Sequence, residues 1–149
     1  KAKEYNTKIL VDGAQLVAHK KVDVQSLEID FLAFSSHKML GATGVGVLYA
    51  KEDLLNNMPP LIYGGGIVKE VTKEDSSFQN SPTKFEAGTM QTAEVVAFSE
   101  SIKLIEKIGI DKISNYENEV LNYGIDKIRK DNCVTNVGCS FLCWVNKSK

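Results

Sequence analysis

The chain has 149 residues, 43% of them hydrophobic and 25% charged, a composition that fits one soluble globular core and leaves no comfortable room for two. Its 18 basic residues are matched by 19 acidic ones with no clustered basic stretch, which removes the electrostatic reason to expect nucleic acid. The longest apolar runs are only a few residues, too short for a membrane-spanning helix.

The opening KAKEYNTKILVDGAQ carries no methionine and no charged-then-apolar leader. It reads as the end of a helix joining a strand, so the chain is expected to be an internal piece of a longer protein. Residues 8–11 (KILV) are a short apolar run ending at Asp12-Gly13, as expected of a buried strand that delivers a polar group to its carboxyl end. Residues 31–34 (FLAF) repeat the pattern and end at Ser35-Ser36. Residues 45–50 (VGVLYA) form a third buried strand, followed by a short helical stretch before Pro59-Pro60. These three define one layer of a mixed sheet.

From 63 to 82 the chain runs through Gly64-Gly65-Gly66, alternating charges and DSSFQNSP, and reads as an extended excursion without regular structure. A helix is predicted from Thr92, with Val95, Phe98, Ile102 and Ile105 on its core stripe and Gly109 ending it. Asp111 is predicted to cap a second helix that buries Ile113, Tyr116, Val120 and Tyr123 or Gly124. Both are read as packing elements with no chemistry.

Three features carry chemistry. Asp12 at a strand end is either a turn residue or a carboxylate that keeps a cationic ring nitrogen protonated, with Gln15 three residues on able to bond the same ring. Lys38 is expected to be partly desolvated by Phe34, Met39 and Leu40, which would make its amine able to attack an aldehyde. Ser35 and His37 flank it with hydroxyl and imidazole donors suited to a phosphate. The glycines of GATGVG run G-x-x-G-x-G into a strand and not G-x-G-x-x-G into a helix, so a dinucleotide loop is excluded. Cys133, Cys139 and Cys143 form no CxxC pair, and no metal site is expected.

Taken in order, LVDGAQ, FSSHKMLGATGVGVLY, PPLIYGGG and KFEAGTMQT resemble the cysteine desulfurases of the class V aminotransferase family, of the sulfur-mobilising, selenocysteine lyase-like type that serves iron–sulfur cluster assembly. The likeness runs over residues 8–130. It implies an α/β fold, part of the large domain of a fold-type I pyridoxal-phosphate-dependent transferase, with a mixed, mostly parallel sheet and flanking helices. Residues 1–92 would be part of that cofactor-binding domain, including the extended loop at 63–82. Residues 93–149 would lead toward the small domain, with an atypical end, CSFLCWVNKSK.

The resemblance also implies roles. Lys38 matches the lysine that holds pyridoxal 5'-phosphate covalently and moves protons, Asp12 the partner of the pyridine nitrogen, and Gln15 the amide near the ring hydroxyl. Ser35 and His37 match phosphate-side residues. Thr89 matches a threonine that reaches the phosphate of the neighbouring subunit, with Gly64 nearby, which implies a homodimer. The implied reaction takes L-cysteine to L-alanine and leaves a persulfide on an enzyme thiol, for delivery to a sulfur-acceptor protein. None of the three cysteines matches that thiol, so the 149 residues alone are expected to be inactive. Cytoplasm, or an organelle, is the implied location. Departures are Ala42, where proline is commoner, and GTMQT for the usual GTP. The remaining readings are another class V activity, namely a selenocysteine lyase, a kynureninase-like hydrolase or an aminotransferase, and a truncated product without catalysis.

Overall fold

The computed structural model describes residues 1–129, so Cys133, Cys139 and Cys143 lie outside the described residues. The chain divides into two compact units, residues 1–107 and 108–149.

In the first unit β1 (Leu10–Asp12), β2 (Phe31–Ser35) and β3 (Gly46–Ala50) form a sheet in that order. β1 and β2 are parallel, with Asp12 opposite Ala33, and β2 and β3 are antiparallel, with Ser35 opposite Gly46. Parallel neighbours need a crossover, which residues 13–30 supply as a series of turns. The crossover leaves β1 tightly. The Gly13 N–H donates to the Ala33 carbonyl at 2.7 Å, and a Cβ on Gly13 would lie 2.6 Å from Leu32 Cδ1. Only glycine lets the chain turn off this close to β2.

At the opposite edge, where β1 and β2 start and β3 ends, buried Asp30 gathers the three strands. Its carboxylate accepts the Ile9 N–H at 2.9 Å and pairs with Lys51 Nζ at 2.7 Å, while its carbonyl accepts the Lys51 N–H at 3.2 Å. The sheet is therefore clamped at one edge and free to present side chains at the other.

The strands are less covered than their apolar runs imply. Among the strand residues of this sheet only Leu32 is buried, while Leu10 and Leu48 are exposed. Continuous apolar runs belong to strands packed on both faces, and the described elements of this unit are too few to cover both. The core is assembled elsewhere as well, from Ala18, Ile29, Met39, Ile67, Phe98 and Ile105. Burial of a side chain such as Leu32 contributes about 1.5–3 kcal/mol.

A short helix, α1 (Glu52–Asn57), follows β3. The predicted irregular excursion at 63–82 is in part regular. β4 (Val68–Val71) and β5 (Ser76–Phe78) pair as an antiparallel hairpin with a bulge between Val68 and Glu70. Its turn is made by Thr72, whose Oγ1 accepts the Asp75 N–H at 2.9 Å and whose N–H reaches the Asp75 carbonyl at 2.8 Å. A threonine-made turn without an Asn-Gly pair, joining strands of three and four residues, leaves little pattern to read. Ile67, at the foot of the hairpin, is fully buried.

α2 (Thr92–Ile108) begins at the predicted residue. Its buried residues are Phe98 and Ile105, while Val95 and Ile102 are a little over a third exposed. The inward stripe therefore runs Glu94, Phe98, Ser101, Ile105, displaced from the apolar one and carrying a serine.

In the second unit α3 (Ile110–Arg129) starts one residue ahead of Asp111, which stands in the first turn. A carboxylate there still complements the positive helix end. Gly109, at φ +92°, makes the break before it. Of the positions predicted to be core, Ile113 and Gly124 are half-buried while Tyr116, Val120 and Tyr123 are exposed, and Ile125 is the buried residue. The buried and half-buried positions Ile113, Glu117, Leu121, Ile125 and Ile128 define the inward face, so an aromatic stripe at helical spacing misled the prediction.

Candidate functional site

Because β1 and β2 are parallel, their carboxyl ends lie at the same sheet edge, where ligands of open α/β sheets bind. Asp12 ends β1 beside Ala33, and Ser35 ends β2 two residues on, about 6.6 Å along the strand. The hairpin from β2 to β3 then carries a 3-10 turn, Ser36–Met39, with His37 and Lys38 at its centre. Asp12, Ser35, His37 and Lys38 are thus delivered to one edge by one sheet register. Gln15 stands in the turn immediately after β1.

Asp12 is exposed and performs the turn task, its Oδ1 accepting the Ala14 N–H at 2.9 Å. That bond uses one carboxylate oxygen and fixes the direction of the group. Ser35 precedes the 3-10 turn in extended conformation, and its hydroxyl makes no capping bond, so it can donate to a ligand. His37, Lys38 and Gln15 are exposed. The apolar shell expected around Lys38 is not formed by the described residues. The turn takes Met39 inward, leaves Lys38 outward, and ends at exposed Leu40.

Gly64 and Thr89 form a separate group. The Gly88 N–H donates to the Gly65 carbonyl at 2.9 Å, and a Cβ on Gly64 would meet Ala87 Cβ at 3.5 Å. This brings the glycine run and the segment before α2 together within one chain, with Thr89 exposed beside them.

Sequence reasoning missed the residues that hold the lysine loop. Ser36 is fully buried; its hydroxyl donates to the Ala42 carbonyl, and its N–H to the Val45 carbonyl at 3.1 Å. Leu40 is left-handed at φ 61°, and the Gly41 N–H returns to the Ser36 carbonyl at 2.9 Å. A Cβ on Gly41 would lie 3.0 Å from Phe98 Cδ2, Ser36 Cβ and the Ser36 carbonyl oxygen. From α2, Ser101 Oγ reaches the Leu40 carbonyl at 3.1 Å. The helix to which no chemistry was assigned therefore touches the lysine loop. The available signal was a serine three residues after Phe98 on the inward stripe.

As a donor set, this edge offers a carboxylate, an amide, a hydroxyl, an imidazole and a primary amine. The carboxylate suits a protonated pyridine ring, the amide its hydroxyl, the hydroxyl and imidazole together a phosphate, and the amine an aldehyde. Among the described residues no three His, Cys, Asp or Glu side chains gather as a metal site, and no helix is long and apolar enough to cross a membrane.

An α/β chain with a mixed sheet and a lysine loop at the carboxyl edge defines a class, and residues 1–141 match it: the chain belongs to the class V aminotransferase family. Within that family it is 43% identical over 126 residues to a cysteine desulfurase of Wigglesworthia glossinidia brevipalpis, covering 84% of this chain and 31% of that protein. Its fold is similar to the crystal structure of the cysteine desulfurase CsdA (S-sulfonic acid) from Escherichia coli, with a TM-score of 0.89 and 36% identity over 93% of this chain and 35% of that one. It is also similar to the cystine C-S lyase C-DES, solved as a mutant with glycine covalently linked to its pyridoxal-phosphate cofactor, with a TM-score of 0.69 and 25% identity over 81% of this chain and 33% of that one. The fold is that of part of a fold-type I pyridoxal-phosphate-dependent enzyme. The chain spans about a third of the length of these relatives.

Proposed function

We propose that this chain is the cofactor-anchoring segment of a pyridoxal-phosphate-dependent cysteine desulfurase. The observation that carries the proposal is the parallel register of Asp12 with Ala33, which delivers Asp12 and the Ser35-to-Lys38 loop to one sheet edge. Identity of 36% to the desulfurase CsdA, against 25% to the C-S lyase C-DES, supports desulfuration over C-S lysis.

Bound pyridoxal phosphate supplies an electron sink for the charge left when the substrate loses its α-proton. Asp12 pairs with the ring nitrogen and keeps it protonated, and Gln15 bonds the ring hydroxyl. Ser35 and His37 donate to the phosphate. Lys38 would hold the cofactor through its amine and would carry the proton of the substrate α-carbon. Gly64 and Thr89 serve the phosphate of the neighbouring subunit in a homodimer.

Overall, L-cysteine and an enzyme thiol give L-alanine and an enzyme persulfide: one C–S bond breaks, one S–S bond forms, and no external oxidant is needed. None of the cysteines in this chain is assigned as the thiol, so desulfurase turnover needs the longer polypeptide. A sulfur-acceptor protein then takes the persulfide sulfur. Residues 1–92 belong to the large domain and 93–149 lead toward the small one, in a cytoplasmic or organellar enzyme.

The test uses the full polypeptide from its natural source, loaded with cofactor and given L-cysteine. Lys38→Ala is expected to abolish both alanine release and the borohydride-stable attachment of the cofactor. Retention of both in that variant would overturn the reading.

A further inference from the structure

We propose that Ser101 of α2 is a positioning residue for Lys38, acting through the Leu40 carbonyl, a role that rests on the cofactor function proposed for Lys38. Lys38 has a long flexible side chain and is exposed, so its aim is set by the backbone that carries it. That backbone is held on both sides. Before it, buried Ser36 ties the loop to Ala42 and Val45. After it, Leu40 takes a left-handed conformation that a leucine adopts only when its surroundings impose it.

The Leu40 turn closes on the Ser36 carbonyl and is packed from outside by α2. Phe98 Cδ2 would lie 3.0 Å from a Cβ at position 41, and the Ser101 hydroxyl stands 3.1 Å from the Leu40 carbonyl and 3.2 Å from the Ala97 carbonyl. A helical serine ordinarily bonds a carbonyl three or four residues back in its own helix. Here its single proton is shared with a loop 61 residues earlier in the chain. α2 also begins three residues after Thr89, and Phe98 lies about 9 Å along the helix from Thr92. One rigid element thus spaces the lysine loop from the segment carrying Thr89.

The full polypeptide is compared with Ser101→Ala, Ser101→Thr and, as control, Ser99→Ala, whose hydroxyl donates to Val96 within the helix. Hydrogen exchange of residues 36–45 is read without cofactor. With cofactor, the pH midpoint of the visible band of Lys38-bound pyridoxal phosphate is read, together with kcat and KM for L-cysteine. Ser101→Ala is expected to speed exchange of the loop about fivefold, move the midpoint and lower kcat about fivefold with KM unchanged, the factor matching the net worth of one neutral hydrogen bond. Ser101→Thr is expected to restore all three, and Ser99→Ala to leave them alone.

If the parent protein binds cofactor through Lys38 and Ser101→Ala leaves loop exchange, midpoint and kcat as they were, the positioning role is wrong. If the parent forms no Lys38-linked cofactor, the functional reading fails and takes this role with it, while the exchange data still report whether Ser101 holds the loop.

Discussion

Gly88 donates its backbone N–H to the carbonyl of Gly65 at 2.9 Å, and this one bond sets Thr89 beside the glycine run that contains Gly64. Gly88 makes it at φ +89°, where a side chain is strained whatever space surrounds it. Gly88→Ala is therefore expected to cost about 1–2 kcal/mol and to loosen Thr89 from Gly64. Urea unfolding of the full polypeptide reads the first effect. A cofactor titration reads the second, since both residues are proposed to serve a phosphate. Unchanged stability with unchanged affinity would remove the bond from any role.

Asp12→Asn separates the two tasks of this residue. An asparagine oxygen still accepts the Ala14 N–H, so the turn after β1 and the melting temperature should change little. The negative charge opposite the proposed ring nitrogen is lost, and alanine release from L-cysteine is expected to fall by about 100-fold or more. A variant that keeps full turnover would leave Asp12 as a turn residue only.

Gly41→Ala tests the packing of the lysine loop against α2. The new methyl group would stand 3.0 Å from Phe98 Cδ2 and also 3.0 Å from the Ser36 carbonyl oxygen. A side chain can move, but a carbonyl tied into the loop moves only with the backbone. The expected cost is about 1–3 kcal/mol, and Phe98→Leu in the same chain should recover only part of it. Full recovery in the double variant would mean that Phe98 alone makes the contact tight.

Much of the site edge was legible because it rests on local signals. The apolar runs ending at Asp12 and Ser35 predict strands that deliver polar groups, and β1 and β2 end within one residue of those positions. The hairpin of β4 and β5 was not legible, since its strands are short and its turn is made by the Thr72 side chain. Nor were Ser36 and Ser101. What distinguishes them is burial and a partner distant in sequence, and no periodicity encodes that the inward stripe of α2 passes through a serine. On α3 the stripe of Tyr116, Val120 and Tyr123 has the spacing of a core face and is nonetheless exposed, because two apolar stripes on one helix look alike until one of them is covered.

The last prediction concerns the clamp at the far edge of the sheet. Lys51, and after it the Ile9 N–H, hold the Asp30 carboxyl below its ordinary value of 3.8, and Asp30 raises Lys51 above its ordinary 10.5. A carboxyl depressed in the fold contributes stability that is complete above its unfolded value. That stability drains away as the pH falls through the lower folded one. The Lys51 ammonium behaves in the mirror sense, its contribution complete below 10.5 and lost as the pH rises through the higher folded value. Asp30→Asn is expected to lower the unfolding midpoint at neutral pH, since it removes the Lys51 ion pair that ties the start of β2 to the end of β3, while an asparagine oxygen can still accept the Ile9 N–H. It should also flatten the fall in stability as the pH drops below the ordinary carboxyl value of 3.8. Urea midpoints of parent and variant across that range give the difference directly, with the other carboxylates cancelling. Curves that stay parallel down to the lowest pH would show that the Asp30 carboxylate does not couple protonation to folding, and the clamp would then rest on the backbone bond from the Lys51 N–H to the Asp30 carbonyl.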